Sequence, residues 1–172
     1  MTTARLALIL AYSAGVIALV SSSRPEPRQS LQEHPHDRST LQLSLAAEVL
    51  RTAVSFDGAQ IGFAGLTPVE VLAWRVVYQS QARDSIFRNL LETATAPGRL
   101  YALAGLRFSL YVVGTDSSGY WLASRRLRQS KVRVLTMVGC IGSFTPQDKL
   151  VEEIDSGSWT QEFIAGHVFS QH

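Results

Sequence analysis

Residues 84–110, DSIFRNLLETATAPGRLYALAGLRFSL, decide the fold. Ile86, Phe87, Leu90, Leu91 and Ala94 recur at the spacing of one helical face, with Asp84 or Ser85 in position to cap its start. Ala96, Pro97 and Gly98 interrupt the pattern, which predicts a tight Pro-Gly corner with Pro97 as the first residue of a second helix. Leu100, Tyr101, Leu103, Ala104, Leu106, Phe108 and Leu110 are apolar nearly all the way round that second helix, the pattern of an element covered on most sides.

Working outward toward the C-terminus, Gly114 to Gly119 reads as a polar turn. Gly119 to Ser130 reads as a helix with Tyr120, Ala123 and Leu127 inward and Arg125, Arg126 and Arg128 outward. In Lys131 to Ile141 the period changes to two, with Val132, Val134, Thr136, Val138 and Cys140 on one side, and this predicts a strand. A lone strand is unstable, so it needs a partner, and Gln60–Phe63 or Tyr111–Thr115 are the candidates. Thr145-Pro146 opens a helix through Leu150, Val151 and Ile154 that Gly157 ends as C-cap, and Ser158 starts a last short helix carrying Phe163 and Ile164.

Toward the N-terminus, Thr67-Pro68-Val69-Glu70 has the form of a capping box opening a helix to about Ser80, with Val69, Leu72, Ala73 and Val76 inward and Trp74 and Tyr78 at its flank. Leu41 to Phe56 is an amphipathic helix with Leu45, Val49, Ala53 and Phe56 along one side. Arg24 to Thr40 holds three of the six prolines and reads as a flexible tether. Residues 6–23, LALILAYSAGVIALVSSS, form an uncharged run between Arg5 and Arg24. It fits a cleaved signal peptide ending near Ser21–Ser23, or a signal anchor about 27 Å long. The chain therefore divides into an export segment (1–23, signal peptide or signal anchor), a Pro-rich linker (24–40) and a helical domain (41–172). Its fold class is mainly α, with a minor β-hairpin, behind a hydrophobic export segment.

FRNLLETA and GRLYALAGL, with small residues Ala102, Ala104 and Gly105 where helices would pack closely, resemble one unit of a HEAT-like helical repeat over about residues 84–110. The resemblance implies a packing scaffold that binds other proteins, and it carries over no catalytic residue. The ensemble also resembles small exported bacterial proteins.

Composition removes several function classes. A formal net charge of +2 is too small to argue for a polyanion partner, and aromatic residues do not interleave with the basic cluster, so nucleic acid is not expected. Cys140 is the only cysteine, which excludes an intramolecular disulfide and zinc sites built on several cysteines. Glu33-His34-Pro35-His36-Asp37 offers metal-ligating groups, but it lies in the tether, where nothing fixes geometry, so no metal and no cofactor are expected. There is no Gly-rich phosphate loop, Gly-x-Ser-x-Gly elbow or His-Glu-x-x-His.

One charge cluster stands out. Arg125, Arg126, Arg128, Lys131 and Arg133 form a basic stripe suited to anionic lipid headgroups or an acidic partner. The competing reading is a solvated face paired with the acidic helix of Asp148, Glu152, Glu153 and Asp155. The function expected from these features is a non-enzymatic protein-interaction or scaffold module at the cell envelope, exported or anchored to the membrane by its N-terminal segment. The alternative is an envelope hydrolase using Cys140 and His167 or an acidic pair brought together from distant positions.

Overall fold

The computed structural model describes residues 35–59, 65–113, 117–138 and 141–159. The predicted export segment, the strand at Gln60–Phe63, Cys140, the helix carrying Phe163 and Ile164, and His167 lie outside the described residues. Within them, six helices and one hairpin follow in order: α1 (Pro35–Arg51), α2 (Val69–Gln79), α3 (Arg83–Thr93), α4 (Ala96–Val113), α5 (Ser118–Arg128), β1 (Arg133–Val138), β2 (Ile141–Pro146) and α6 (Gln147–Ser156). The chain is thus mainly helical with a minor β-hairpin, as the sequence predicts. Among the described residues no helix is long and apolar enough to cross a membrane.

Helix α4 is the axis of the packing. Leu100 to Leu106 are all buried, and Trp74 of α2, Phe87 of α3 and Phe56 of the loop after α1 close round it. Trp74 donates its indole N–H to the Tyr101 carbonyl at 3.0 Å. Phe56 meets the Tyr101 ring edge-on at 4.8 Å. Gly105 admits the Phe87 ring, since a Cβ there would overlap it.

The corner between α3 and α4 differs in detail from the predicted one. The helices are separated by Ala94 and Thr95 alone, and α4 already includes Ala96, Pro97 and Gly98. Thr95 fixes this corner. Its hydroxyl donates to the Ala53 carbonyl at 2.7 Å and accepts the Gly98 N–H at 3.3 Å, while its own N–H donates to the Arg51 carbonyl at 3.0 Å. Asp84 does not cap α3. It sits in the first turn and accepts from the Ser109 hydroxyl of α4 at 3.0 Å.

Further expectations are corrected. Helix α1 begins at Pro35, inside the stretch assigned to the linker, and ends at Arg51, so Phe56 is buried from a loop rather than from a helix face. Its buried side carries Ala46 and Leu50, whereas Leu45 is exposed. Helix α2 buries Val71, Ala73, Trp74 and Val77 and exposes Val69, Leu72 and Val76, a rotation from the predicted face that moves Trp74 from flank to core. It starts at Val69 after Pro68, with no side-chain cap bond from Thr67, so the capping box does not form.

Among the described residues the strand at 133–138 pairs with a segment other than Tyr111–Thr115, and the other predicted partner, Gln60–Phe63, lies outside them. It forms an antiparallel hairpin with β2, in register from Arg133 opposite Pro146 to Val138 opposite Ile141, and Tyr111–Val113 belongs to α4. The other edge of β1 is closed by the loop after α1. Phe56 N–H donates to the Leu135 carbonyl, and Met137 N–H donates to Asp57 Oδ1, both at 2.9 Å. Gly157 ends α6 in the left-handed conformation at φ 85°, as expected of a glycine C-cap.

Candidate binding groove beside helix α5

Helix α5 presents different faces to different surroundings. Toward α6 it turns Tyr120, Ser124 and Arg128, one helical turn apart, and all three converge on Asp155. The Tyr120 hydroxyl donates to Oδ1, the Ser124 hydroxyl to Oδ2 at 2.8 Å, and the Arg128 guanidinium also to Oδ2. From α4, Arg107 donates to the Asp155 backbone carbonyl at 2.8 Å and lies 5.7 Å from the ring centres of Tyr120 and Trp121. Burial, reinforced by the bond to the Asp155 carboxylate, pushes the Tyr120 hydroxyl far above the usual phenol range. A carboxylate already accepting from three donors is a fastening between α5 and α6 rather than a free reagent.

On another side α5 lines a groove with Gly119, Leu122, Ala123, Arg126 and the largely buried Leu127, continued by Ser130 just past the helix end. These positions follow i, i+3, i+4, i+7, i+8 and i+11, the spacing of a single helical stripe. Together with Arg88, Leu91 and Glu92 of α3, Ala96 and Arg99 of α4, Val132 before β1 and Gln147 of α6, they line a groove of about 690 Å³. Gln147 is buried at its edge and fastens α6 to α5 by donating to the Leu127 carbonyl at 3.1 Å.

The groove is apolar in its walls and cationic in its charge. Leu122 and Val132, two of the large exposed apolar side chains of the chain, both face it, at 70% and 46% exposure. Three guanidiniums, Arg88, Arg99 and Arg126, stand against the single carboxylate of Glu92. Arg126 already donates from its Nη1 to both Glu92 carboxylate oxygens, at 3.0 and 3.1 Å. Arg88 lies against the α5 backbone at Gly119, where a Cβ would meet its Nη1. Among the described residues neither Arg88 nor Arg99 has a carboxylate partner, and the Arg99 Nε is buried without an acceptor.

The predicted basic stripe does not stay together. Arg126 turns into the groove and pairs with Glu92, whereas Arg128 turns to α6 and pairs with Asp155, with Glu152 at 4.0 Å. Arg133 reaches across the hairpin to donate to the Phe144 carbonyl at 2.6 Å. Arg125 and Lys131 are exposed, and Arg125 lines a second, shallower cavity with Trp121 and Arg128. Arg88 and Arg99, the groove's cations without a carboxylate, come from other helices and belong to no cluster in the sequence. The one available signal was helical spacing: Arg88 and Glu92 share a face of α3. Among the described residues no group of His, Cys, Asp and Glu is arranged to hold a metal.

The fold is therefore that of a small helical domain with an appended hairpin, and its most distinctive feature is an arginine-lined apolar groove. Compared with protein-family models, curated proteins and solved structures, the chain matches none.

Proposed function

We propose that this protein is a non-enzymatic binding module whose contact surface is the groove between α3 and α5, and whose partner presents an anionic group beside an apolar one. The single observation that carries this reading is the charge inventory of the groove. Among the described residues Arg88 and Arg99 line it without a carboxylate partner, and the one acid lining it, Glu92, is engaged by Arg126. A planar guanidinium is suited to bidentate capture of a carboxylate or phosphate, and an apolar wall raises the value of that contact by excluding water. The HEAT-like form of residues 84–110 supports a role in binding. The uncharged run at 6–23 supports placing it at the cell envelope, as an exported or anchored protein.

Anilinonaphthalene sulfonate, an aromatic body with one anionic head and fluorescence that rises in apolar surroundings, tests the groove directly. The folded protein is expected to bind it saturably at one site, and the double variant Arg88→Gln/Arg99→Gln to bind it at least tenfold more weakly while unfolding at a similar temperature. Binding of equal strength in that variant overturns the groove as the contact surface. N-terminal sequencing after cell fractionation tests the placement: an intact chain recovered from cytosol overturns it.

A further inference from the structure

We infer that the groove is a site for a single-tailed anionic amphiphile, its carboxylate or phosphate head held by Arg88 and Arg99 and its tail laid along Leu122, Leu127 and Val132. The inference rests on the binding reading above and narrows it to a ligand class.

Three features select this chemistry. First, the groove is bounded on several sides. Five parts of the chain bound it (α3, α4, α5, the link before β1 and the first residue of α6), and a volume of about 690 Å³ lies within the range of small-molecule sites. Second, the groove offers both polar and apolar contacts. The guanidiniums without a carboxylate come from α3 and α4, whereas the exposed apolar side chains, Leu122 and Val132, come from α5 and the link that follows it. A ligand that uses both carries an anionic group beside an apolar part. Third, the charge has one sign. The Arg99 Nε has no acceptor among the described residues, no lysine or histidine is among those lining the groove, and an uncharged hydroxyl head would leave two guanidiniums uncompensated.

Carboxylate and phosphate heads share the geometry the guanidinium fork accepts, and the same chemistry is available from a free amphiphile or from a lipid headgroup in a bilayer. The apolar side chains of the groove favour the free molecule, because a tail can lie against Leu122 and Val132 within the protein.

The test uses the full chain and displacement of anilinonaphthalene sulfonate by dodecanoate, dodecyl phosphate, dodecanol, dodecyltrimethylammonium and inorganic phosphate, each amphiphile below its micelle concentration. A parallel arm measures co-sedimentation with phosphatidylcholine vesicles with and without phosphatidylglycerol. Dodecanoate and dodecyl phosphate are expected to displace the dye at one molecule per chain. Dodecanol, the cationic amphiphile and inorganic phosphate should be at least tenfold weaker. Affinity should fall by about tenfold for every two methylenes removed. Arg99→Gln is expected to weaken the anionic amphiphiles, with little effect on dodecanol, and Leu122→Asn to weaken both. Circular dichroism and the unfolding temperature identify any variant that has lost its fold.

Failure of dodecanoate and dodecyl phosphate to displace a dye that itself binds through Arg88 and Arg99 overturns the amphiphile while leaving the groove reading intact. A dye that binds independently of those arginines overturns both. Binding to phosphatidylglycerol vesicles with none to free amphiphile moves the chemistry to a bilayer surface and overturns the site for a free amphiphile.

Discussion

Gly98, in the first turn of α4, lies directly against the backbone carbonyl of Leu50 in α1, so that a Cβ on Gly98 would overlap the Leu50 oxygen and stand 2.8 Å from the Ala94 Cβ. Two helices distant in sequence approach here as closely as backbones can, and glycine is what permits it. The same residue follows Pro97, so what reads locally as a helix start is also a packing contact.

Gly98→Ala is accordingly expected to destabilise. In an open helical position alanine gains about 0.5–1 kcal/mol over glycine. Here the atom it meets is main chain and cannot swing aside, and overpacking of this kind costs about 1–3 kcal/mol. Urea unfolding should show the net loss. Gly119→Ala is the contrast, since it meets only the tip of the Arg88 side chain, which can move. That variant should be neutral or gain up to about 1 kcal/mol. An equal loss in both variants would show that Arg88 is held as firmly as backbone.

Asp155→Ala should be among the more costly single substitutions in the C-terminal half. It removes the acceptor shared by Tyr120, Ser124 and Arg128 from a side chain only 9% exposed, and leaves two hydroxyls without that partner. Stranded buried donors cost about 1–3 kcal/mol each, with partial recovery where water enters. Arg128→Ala removes one partner that is 43% exposed and screened by solvent, so its cost should stay near or below about 1 kcal/mol. The reverse ranking in denaturant midpoints would contradict Asp155 as the fastening point.

Asp57 gives stability a specific pH dependence. Burial raises its carboxyl above the ordinary carboxylate value, against the opposing effect of the Ser55 hydroxyl and the Met137 N–H. Between the unfolded and the raised folded value the native state binds more protons, so this group's contribution to stability falls as pH rises through that window. The amide of the variant Asp57→Asn keeps an acceptor for the Met137 N–H and a partner for the Ser55 hydroxyl but does not ionise. Relative to the parent, the melting temperature of that variant is expected to improve as pH is raised above the ordinary carboxylate value near 3.9. A difference constant with pH would remove Asp57 from the titration.

Much of the architecture is legible in the sequence wherever one physical signal dominates. Leu100 to Leu106 leave no polar side for solvent, so burial of α4 follows directly, and the Gly157 C-cap and the alternation of Val134 and Thr136 are equally local. Helix α2 shows where periodicity runs out. Val69, Val71, Leu72, Ala73, Trp74, Val76 and Val77 are apolar at nearly every position, so a 3.6-residue pattern selects no face. The face is fixed instead by tertiary contacts, among them the Trp74 indole bond to the Tyr101 carbonyl. Strand β2 had no signal because Ile141 to Phe144 are exposed on both sides and its state depends on pairing with β1. The groove was only partly legible for a related reason. Arg125, Arg126 and Arg128 adjoin in sequence, but a turn of about 100° per residue sends them in different directions, while Arg88 and Arg99 converge from other helices.

Helix capping gives the sharpest test of the difference between local signal and tertiary use. Thr67 has the sequence form of a cap worth about 1 kcal/mol, yet it makes no cap bond because Pro68 occupies the cap position and α2 starts at Val69. Thr95, with no such motif, accepts the Gly98 N–H and donates to the Ala53 carbonyl, joining the start of α4 to the segment after α1. Thr67→Ala should therefore change stability by less than about 0.5 kcal/mol, as surface substitutions do. Thr95→Ala should cost about 1–2 kcal/mol, the range of a lost cap with a second bond. Thr95→Ser, which keeps the hydroxyl, should recover most of that loss, because the contribution lies in the two hydrogen bonds rather than in the methyl group. Equal midpoints for Thr95→Ala and Thr95→Ser in urea would assign the effect to packing and leave the corner without its hydrogen-bonded origin.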